Sequence, residues 1–217
     1  MARHAHALED KIARRQAILD AARQLFREGT GELPAVSDIA AAVGLAKGTL
    51  YLYFRTREEI FCELIVQLWI ELLDEMGDVF EGATGPRPAR VAAHLDHLIG
   101  YLQRTPEVLR LDALAYSLKR NVDPVVQHEQ NQRFAARAEA VGAQADRALG
   151  LPAGRSTQIL MRSYAFMRGL WQMTEHQLGR EGAADPVLAP LFSSFAPTLR
   201  ESLDDYWRGV LSAPEQG

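Results

Sequence analysis

The chain has 217 residues, of which 47% are hydrophobic and 24% are charged, and its formal net charge is −4 at pH 7. These fractions are those of an ordinary globular protein that can bury a core without disulfides or metal ions. Cys62 is the single cysteine and leaves no partner for an intrachain disulfide. Neither a signal peptide nor an apolar run of about 20 residues, the length of a membrane span, is recognisable. We therefore expect a cytoplasmic protein.

The charges are unevenly distributed. Residues 1–60 carry nine Lys or Arg side chains and eight Asp or Glu side chains, whereas the remainder carries 15 and 20. An acidic chain is not an indiscriminate binder of nucleic acid, and its least acidic segment is the amino-terminal one.

An amphipathic helix is predicted from Asp10 to about Gly29, after a frayed segment at residues 1–9. Its buried face is predicted by apolar residues at the i, i+4, i+7 and i+8 spacing of one helical side, which are Ile18, Ala22, Leu25 and Phe26. Arg14 and Arg15 lie near the start of this helix. They are either phosphate contacts or solvated surface charges.

The segment from Val36 to Glu59 predicts two short helices joined by a tight turn. Gly44 lies where the first helix must stop, and glycine tolerates the left-handed conformation that such a stop needs. Apolar positions that would close a small core are Ile39, Val43, Leu45, Leu50 and Phe54. The second helix is predicted from Ala46 to about Phe54. Its outward face, which has little bulk near its start, comprises Lys47, Gly48, Thr49, Tyr51, Leu52 and Tyr53. A helix-turn-helix inserts such a face into the major groove of DNA.

This segment resembles the amino-terminal DNA-binding region of the tetracycline-repressor-like (TetR) family of bacterial regulators. The resemblance covers about residues 10–65. The matching runs are Asp38-Ile39-Ala40, Gly44-Leu45, Lys47-Gly48-Thr49-Leu50-Tyr51 and Tyr53-Phe54. It implies an all-α fold in which residues 1–56 form a three-helix DNA-binding bundle with a helix-turn-helix. Residues 57–217 would form a larger helical domain for ligand binding and dimerisation.

The resemblance also implies the residues that contact DNA. These are Ser37, Lys47, Gly48, Thr49, Tyr51, Leu52, Tyr53 and Arg57. Lys47, Thr49 and Tyr51 match positions that approach bases or phosphates, and Tyr53 and Arg57 match phosphate contacts. The alternatives are that Tyr51 packs sideways on the bundle and that Lys47 is a solvated surface lysine.

Two capping hydroxyls that are frequent in the family are missing. Ala35 and Ala46 stand where Ser or Thr would cap the two short helices. Replacing such a cap by Ala typically costs about 1 kcal/mol, and Ser37 is a candidate to substitute in part.

The remaining chain predicts further helices separated by turn residues. Thr56 and Glu59 form a capping box for the first of them. The predicted ranges are Arg57 to Asp78, Pro88 to Arg104, Pro106 to Lys119, Pro124 to Leu149 and Arg155 to Gly179. A last helical region follows, which Pro197 must kink or divide.

The last two helical regions carry broad apolar stripes. Paired with the same stripes of a second copy, they would form a four-helix interface. The predicted interface residues are Ile159, Phe166, Leu170, Leu191, Phe195, Leu199, Leu203 and Tyr206. The alternative is that both stripes face the core of their own domain.

A helical domain of this size has room for a largely apolar ligand cavity. Candidates to line it are Trp69, Tyr101, Leu102, Tyr116, Phe134, Phe166, Met167 and Met173. Each of them could equally be an ordinary core residue.

No motif indicates catalysis, a cofactor or a metal. His94 and His97 lie three residues apart on one helix, but two ligands without a third are a weak metal signal. We therefore predict a ligand-responsive regulator, not an enzyme, that represses transcription by binding a palindromic operator as a homodimer until a small-molecule effector releases it. The alternatives are a helical ligand-binding or scaffold protein without sequence-specific DNA binding, and a small helical enzyme.

Overall fold

The computed structural model describes residues 2–29, 31–175 and 194–212. Within these ranges the regular structure is entirely helical, which confirms the all-α prediction. The helices are α1 (Ala2–Glu28), α2 (Val36–Ala42), α3 (Lys47–Leu50), α4 (Arg57–Gly82), α5 (Arg87–Arg104), α6 (Glu107–Lys119), α7 (Pro124–Leu149), α8 (Arg155–Glu175) and α9 (Phe195–Ser212).

The chain forms two compact units. Unit 1 comprises Met1–Leu68 and Arg110–Gln132, and unit 2 comprises Trp69–Leu109 and Arg133–Gly217. Helices α4, α6 and α7 therefore each have residues in both units. These units do not correspond to the two predicted domains. The predicted division into residues 1–56 and 57–217 stays a prediction.

Several helix bounds and the effect of Pro197 differ from the sequence prediction, and α4 continues to Gly82 where an end at Asp78 was predicted. Helix α1 begins at Ala2, so the segment predicted to fray continues the helix. Helix α3 ends at Leu50 and is followed by turns through Tyr53, so the prediction of a helix to Phe54 was wrong. Pro197 is the third residue of α9. A proline in the first helical turn interrupts no intrahelical bond, so it neither kinks nor divides α9.

The core of unit 1 is built from the predicted apolar positions. Ile18, Ala22 and Phe26 of α1 are fully buried, as are Ile39 of α2, Leu50 of α3 and Phe54 after it. Val43 and Leu45 are only half-buried. Gly44 adopts a φ of +65°, so the left-handed stop between α2 and α3 is confirmed.

Hydrogen bonds from Thr56 and Glu59 hold the start of α4. The Glu59 N–H donates to Thr56 Oγ1 at 3.0 Å, which confirms Thr56 as the cap. Glu59 Oε2 accepts from the backbone N–H of Arg55 at 2.8 Å, one residue before the position that a standard capping box uses.

Unit 2 is organised around α9, which packs on α5 and α8. Leu199, Leu203 and Trp207 of α9 are fully buried in this core. Helices α7 and α8 approach closely, since a Cβ built on Gly142 would lie 3.0 Å from Thr157 Cα. The buried carboxylate of Asp146 accepts the N–H groups of Gly154 and Ser156, both at 2.7 Å, and so ties the end of α7 to the start of α8.

Candidate nucleic-acid interface and ligand cavity

The outward face of α3 and the following turn carries most of the predicted DNA contacts. Lys47 and Gly48 are exposed, and Thr49 is half-buried. Tyr51 retains 42% of its surface and Leu52 retains 76%. We call these five residues the α3 face. A cation, a hydroxyl and a phenol beside a residue without a side chain are the groups that contact phosphates and base edges.

The other predicted contacts lie beside the α3 face. Ser37 is exposed at the start of α2, whereas Tyr53 and Arg57 are half-buried. An Arg57 Nη2 lies 3.6 Å from Glu58 Oε1, so its charge is partly neutralised within the protein.

Arg15 holds the turn that follows α3. Its guanidinium donates to the carbonyl oxygen of Tyr53 at 2.6 Å, which satisfies an acceptor at the end of the turn. It also lies 3.9 Å from the centre of the Phe54 ring. The carboxylates of Glu59 and Glu63 lie 3.8 Å and 3.9 Å from its Nη2. Arg15 is therefore a structural link between α1, the α3 turn and α4.

Arg14, one residue earlier, points to solvent. With Lys11 and Asp10 it lines an open cleft of about 810 Å³ between α1 and the turn that carries Leu52 and Tyr53. The spacing of Asp10, Lys11, Arg14 and Ala17 on one face of α1 would have indicated this cleft, and sequence reasoning missed Lys11. The cleft offers two cations beside the α3 face.

The starts of α2 and α3 have no side-chain caps. Ala35 and Ala46 occupy the two capping positions, and neither makes a side-chain hydrogen bond. Ser37 does not substitute, because its hydroxyl donates to Asp38 Oδ1 at 3.3 Å.

A narrow apolar cavity lies within unit 2, with a volume of about 40 Å³. Three predicted ligand residues, Trp69, Phe134 and Met167, line it. Its other walls are Leu72, Leu73, Met76, His94, Leu98, Leu160, Met161, Ser163 and Tyr164. The structure therefore brings three of the eight predicted ligand residues together at one cavity.

The remaining predicted ligand residues lie elsewhere. Tyr101 and Leu102 are buried in α5 without lining this cavity. Tyr116 is 79% exposed on α6, and Phe166 and Met173 are 44% and 55% exposed on α8. Helical periodicity identifies the apolar face of a helix but not which neighbouring elements cover that face.

His94 is one of the cavity walls that carry polar atoms, with Trp69, Ser163 and Tyr164. It is 1% exposed, and its ring lies 4.7 Å from the Phe80 ring and 5.1 Å from the Trp207 ring, measured between centroids. Burial, with a smaller contribution from His97, lowers the pKa of His94 to about 3. His94 is therefore neutral at pH 7.

The predicted interface residues divide between the core and the surface. Ile159, Leu199 and Leu203 are fully buried within unit 2, so they leave no surface for a second chain. Phe166 is exposed, and Leu170, Phe195 and Tyr206 are half-buried. Leu191 lies outside the described residues.

The described residues were also compared with the requirements of a metal site and of a membrane span. Among the residues that the structure describes, no group of three or more His, Cys, Asp or Glu side chains is placed to hold a metal ion. His97 instead lies 2.7 Å from Glu75 through Nε2. None of the helices described is both long and apolar enough to cross a bilayer.

Two family descriptions match consecutive parts of the chain. "Bacterial regulatory proteins, tetR family" matches residues 18–64, and "Tetracyclin repressor-like, C-terminal domain" matches residues 66–214. The second match alone covers more than half of the sequence.

The chain is also similar to individual proteins. It is 33% identical over 78 residues to the "Fatty acid metabolism regulator protein" of Bacillus subtilis. This alignment spans 36% of the chain and 40% of that relative's length.

Solved structures share the fold. A TetR transcriptional regulator from Rhodococcus sp. RHA1 has a TM-score of 0.58 and 19% identity, with 94% of this chain and 98% of that chain covered. The transcriptional regulator FadR from Bacillus subtilis, solved in complex with stearoyl-CoA, has a TM-score of 0.54 and 16% identity. Here 92% of this chain and 99% of that chain are covered. At these identities the likeness shows the fold alone.

Proposed function

Because the chain belongs to the tetracycline-repressor family of bacterial regulatory proteins, we propose that it is a repressor whose homodimer binds a palindromic operator and releases it when a small molecule binds in unit 2. It would act in the cytoplasm without a catalytic step. The observation that carries this proposal is the α3 face, which stands exposed beside the cations of the α1 cleft.

The proposed DNA contacts follow from exposure and charge. Lys47, Thr49 and Tyr51 would reach base edges or phosphates, and Gly48 would let the backbone approach the groove. Lys11 and Arg14 would add phosphate contacts from α1, because both are exposed at the cleft. Ser37, Tyr53 and Arg57 would contact the DNA backbone on either side.

Removal of one contact on the α3 face and one beside it tests the proposed DNA binding. Lys47→Ala combined with Tyr53→Ala takes two contacts from each half-site. We expect a loss of about 4 kcal/mol, roughly a thousandfold in operator affinity. A gel shift at fixed salt measures it. Lys119→Ala is the matched control, because it removes an exposed lysine of α6 that is not among the proposed DNA contacts. Equal operator affinity for the double variant and the control would contradict the proposal.

Dimerisation is proposed through the exposed part of the α8 and α9 stripes. Phe166, Leu170 and Met173 follow one another at helical spacing on α8 and are exposed or half-buried. Phe195 of α9 packs edge-on against Trp171 of α8, with ring centroids 5.0 Å apart. One recognition helix covers only a few base pairs, whereas two copies would read half-sites about 34–36 Å apart.

Analytical ultracentrifugation tests the dimer. Phe166→Glu combined with Leu170→Glu would bury two unpaired charges in the interface, so a monomer is expected. Val125→Glu is the control, because Val125 is 66% exposed on α7 in unit 1. A double variant that remains dimeric would place the interface elsewhere.

The proposed effector is a largely apolar small molecule. The cavity walls support this class, and the Bacillus subtilis structure with stearoyl-CoA makes a long-chain acyl compound the first to test. Met76, Met161 and Met167 line the cavity, and flexible methionines can move to widen it. Helices α4 and α7 have residues in both units, so ligand binding in unit 2 could shift the population of dimer geometries.

Operator release tests the effector. Stearoyl-CoA is added to the protein on fluorescent operator DNA, with coenzyme A alone as the control for the headgroup. Release by stearoyl-CoA alone supports an acyl effector. If neither compound lowers anisotropy, this effector class is wrong.

A further inference from the structure

The ring nitrogens of His94 have a hydrogen-bonding capacity that none of the described residues uses. Neither Nδ1 nor Nε2 has a hydrogen-bond partner among the described residues, although both atoms are buried. A neutral imidazole carries one N–H donor and one acceptor. Burying such groups without partners costs free energy, so native proteins rarely leave them so.

Besides His94, the cavity walls with polar atoms are Trp69, Ser163 and Tyr164. The rings of Trp69 and Tyr164 pack edge-on with their centroids 4.9 Å apart, and the hydroxyl of Ser163 is already engaged. It donates to the carbonyl oxygen of Ile159 at 2.9 Å and accepts the Trp207 Nε1–H at 3.1 Å. Leu72, Leu98 and Met167 contribute only apolar surface. A molecule in this cavity would therefore meet unpaired hydrogen-bonding groups at His94.

A purely structural role does not account for the residue. The stack between Phe80 and Trp207 would be filled as well by an apolar aromatic ring, which would bury no unpaired nitrogen. Because His94 is neutral, it would also give no ion pair to an anionic group.

We infer that His94 is the polar anchor of the ligand site, and that it hydrogen-bonds one uncharged oxygen, a hydroxyl or a carbonyl, of an otherwise apolar effector. The inference rests on the proposed function only in placing the effector in unit 2. It adds the chemical class of the ligand's polar group and the side chain that selects it.

Two probes of equal shape measure this selection. The molecule p-cresol carries a hydroxyl where p-xylene carries a methyl group, and titration calorimetry gives Kd for each. His94→Phe keeps an aromatic ring in the stack but removes both nitrogens. We expect the ratio of the p-xylene Kd to the p-cresol Kd to fall about tenfold in this variant, the value of one hydrogen bond. A change of less than twofold would overturn the inference.

A control variant separates selection from cavity size. Phe134→Leu alters an apolar wall, so both affinities should move together and their ratio should stay within twofold. A tenfold change of the ratio in Phe134→Leu would show that shape, not His94, selects the hydroxyl. The anion 4-methylbenzoate should bind the wild-type protein more weakly than p-cresol, and tighter binding of the anion would contradict an uncharged partner.

A measurement on the wild-type protein covers the case in which His94→Phe does not fold. With ¹⁵N-labelled histidine, p-cresol should shift the ring nitrogen signals of His94, whereas p-xylene should shift them less. Equal shifts would overturn the inference.

Operator binding separates the two hypotheses. If p-cresol selection depends on His94 but no apolar compound releases DNA, His94 binds the ligand as inferred and the proposed release of the operator by an effector is wrong. If an acyl compound releases DNA equally from the wild type and from His94→Phe, the proposed effector function is supported and the inferred hydrogen bond of His94 to the ligand is wrong.

Discussion

The α3 face of unit 1 and the cavity of unit 2 use polar groups in opposite ways. On the α3 face, Lys47 and Tyr51 are exposed and Thr49 is half-buried, over a core of buried apolar residues. In the cavity, His94 is enclosed by apolar walls and stacked rings. The first arrangement suits a large polyanion that brings its own charge. The second suits a small molecule that must leave water and regain one hydrogen bond.

The two adjacent arginines of α1 repeat this contrast within unit 1. Arg14 is exposed at the cleft, whereas Arg15 is held by Tyr53, Phe54, Glu59 and Glu63. A step of one residue along a helix rotates the side chain by about 100°. Adjacent residues of the same type can therefore serve folding and binding separately.

The largest expected effect on stability is at Arg15. Arg15→Met keeps the aliphatic stem but leaves Glu59 and Glu63 without its charge and the Tyr53 carbonyl without its donor. Because the Arg15 side chain is about one-third exposed, we expect a loss of about 2 to 3 kcal/mol in the free energy of unfolding. Urea denaturation measures it.

Arg14→Met is the matched control for stability and a test of DNA binding. Its unfolding free energy should stay within about 0.5 kcal/mol of the wild type. For operator binding, the slope of log K against log salt concentration should become shallower by about 1.8, because each protomer of the dimer loses one phosphate contact. If the two variants exchange these effects, the assignment of Arg14 and Arg15 is wrong.

The next effect is the pH dependence that His94 imposes. The pKa of His94 is about 3 in the folded chain, and its ordinary value of 6.5 applies to the unfolded chain. Between pH 3 and pH 6.5 the unfolded chain therefore binds more protons than the folded chain. Stability that is present above pH 6.5 is therefore lost as the pH falls. Between pH 7 and pH 5 we expect the His94 contribution to fall by about 2 kcal/mol. Urea denaturation of wild type and His94→Gln at both pH values measures it, and an identical pH dependence would refute a buried neutral His94.

The smallest effects concern two glycines of unit 2. Gly142→Ala places a methyl group against the Thr157 backbone, and we expect a loss of about 1 to 2 kcal/mol. Gly209→Ala on α9 meets nothing within 4 Å, so it should gain about 0.5 to 1 kcal/mol from helix propensity. Thermal denaturation of both variants compares them. Equal effects would contradict the close approach of α7 and α8.

Local signals in the sequence predicted the part of the fold that depends on local chemistry. Gly44 and the Thr56 cap act within a few residues, so their roles were readable without tertiary structure. The exposure of Tyr116, Phe166 and Met173 was not, because helical periodicity identifies a face but not its neighbour. The separation of Arg14 from Arg15 depends on Glu59 and Glu63 of α4, and the enclosure of His94 depends on Trp207, more than 100 residues away.

Selection from random DNA duplexes tests the central claim most directly. Wild-type protein and the Lys47→Ala, Tyr53→Ala variant would each be taken through rounds of selection at one salt concentration. We predict that the wild type enriches a two-fold symmetric sequence with half-sites about one helical turn apart, and that the variant enriches none. No enrichment by the wild-type protein, or the same enriched sequence with both proteins, would contradict a regulator that reads DNA through the α3 face.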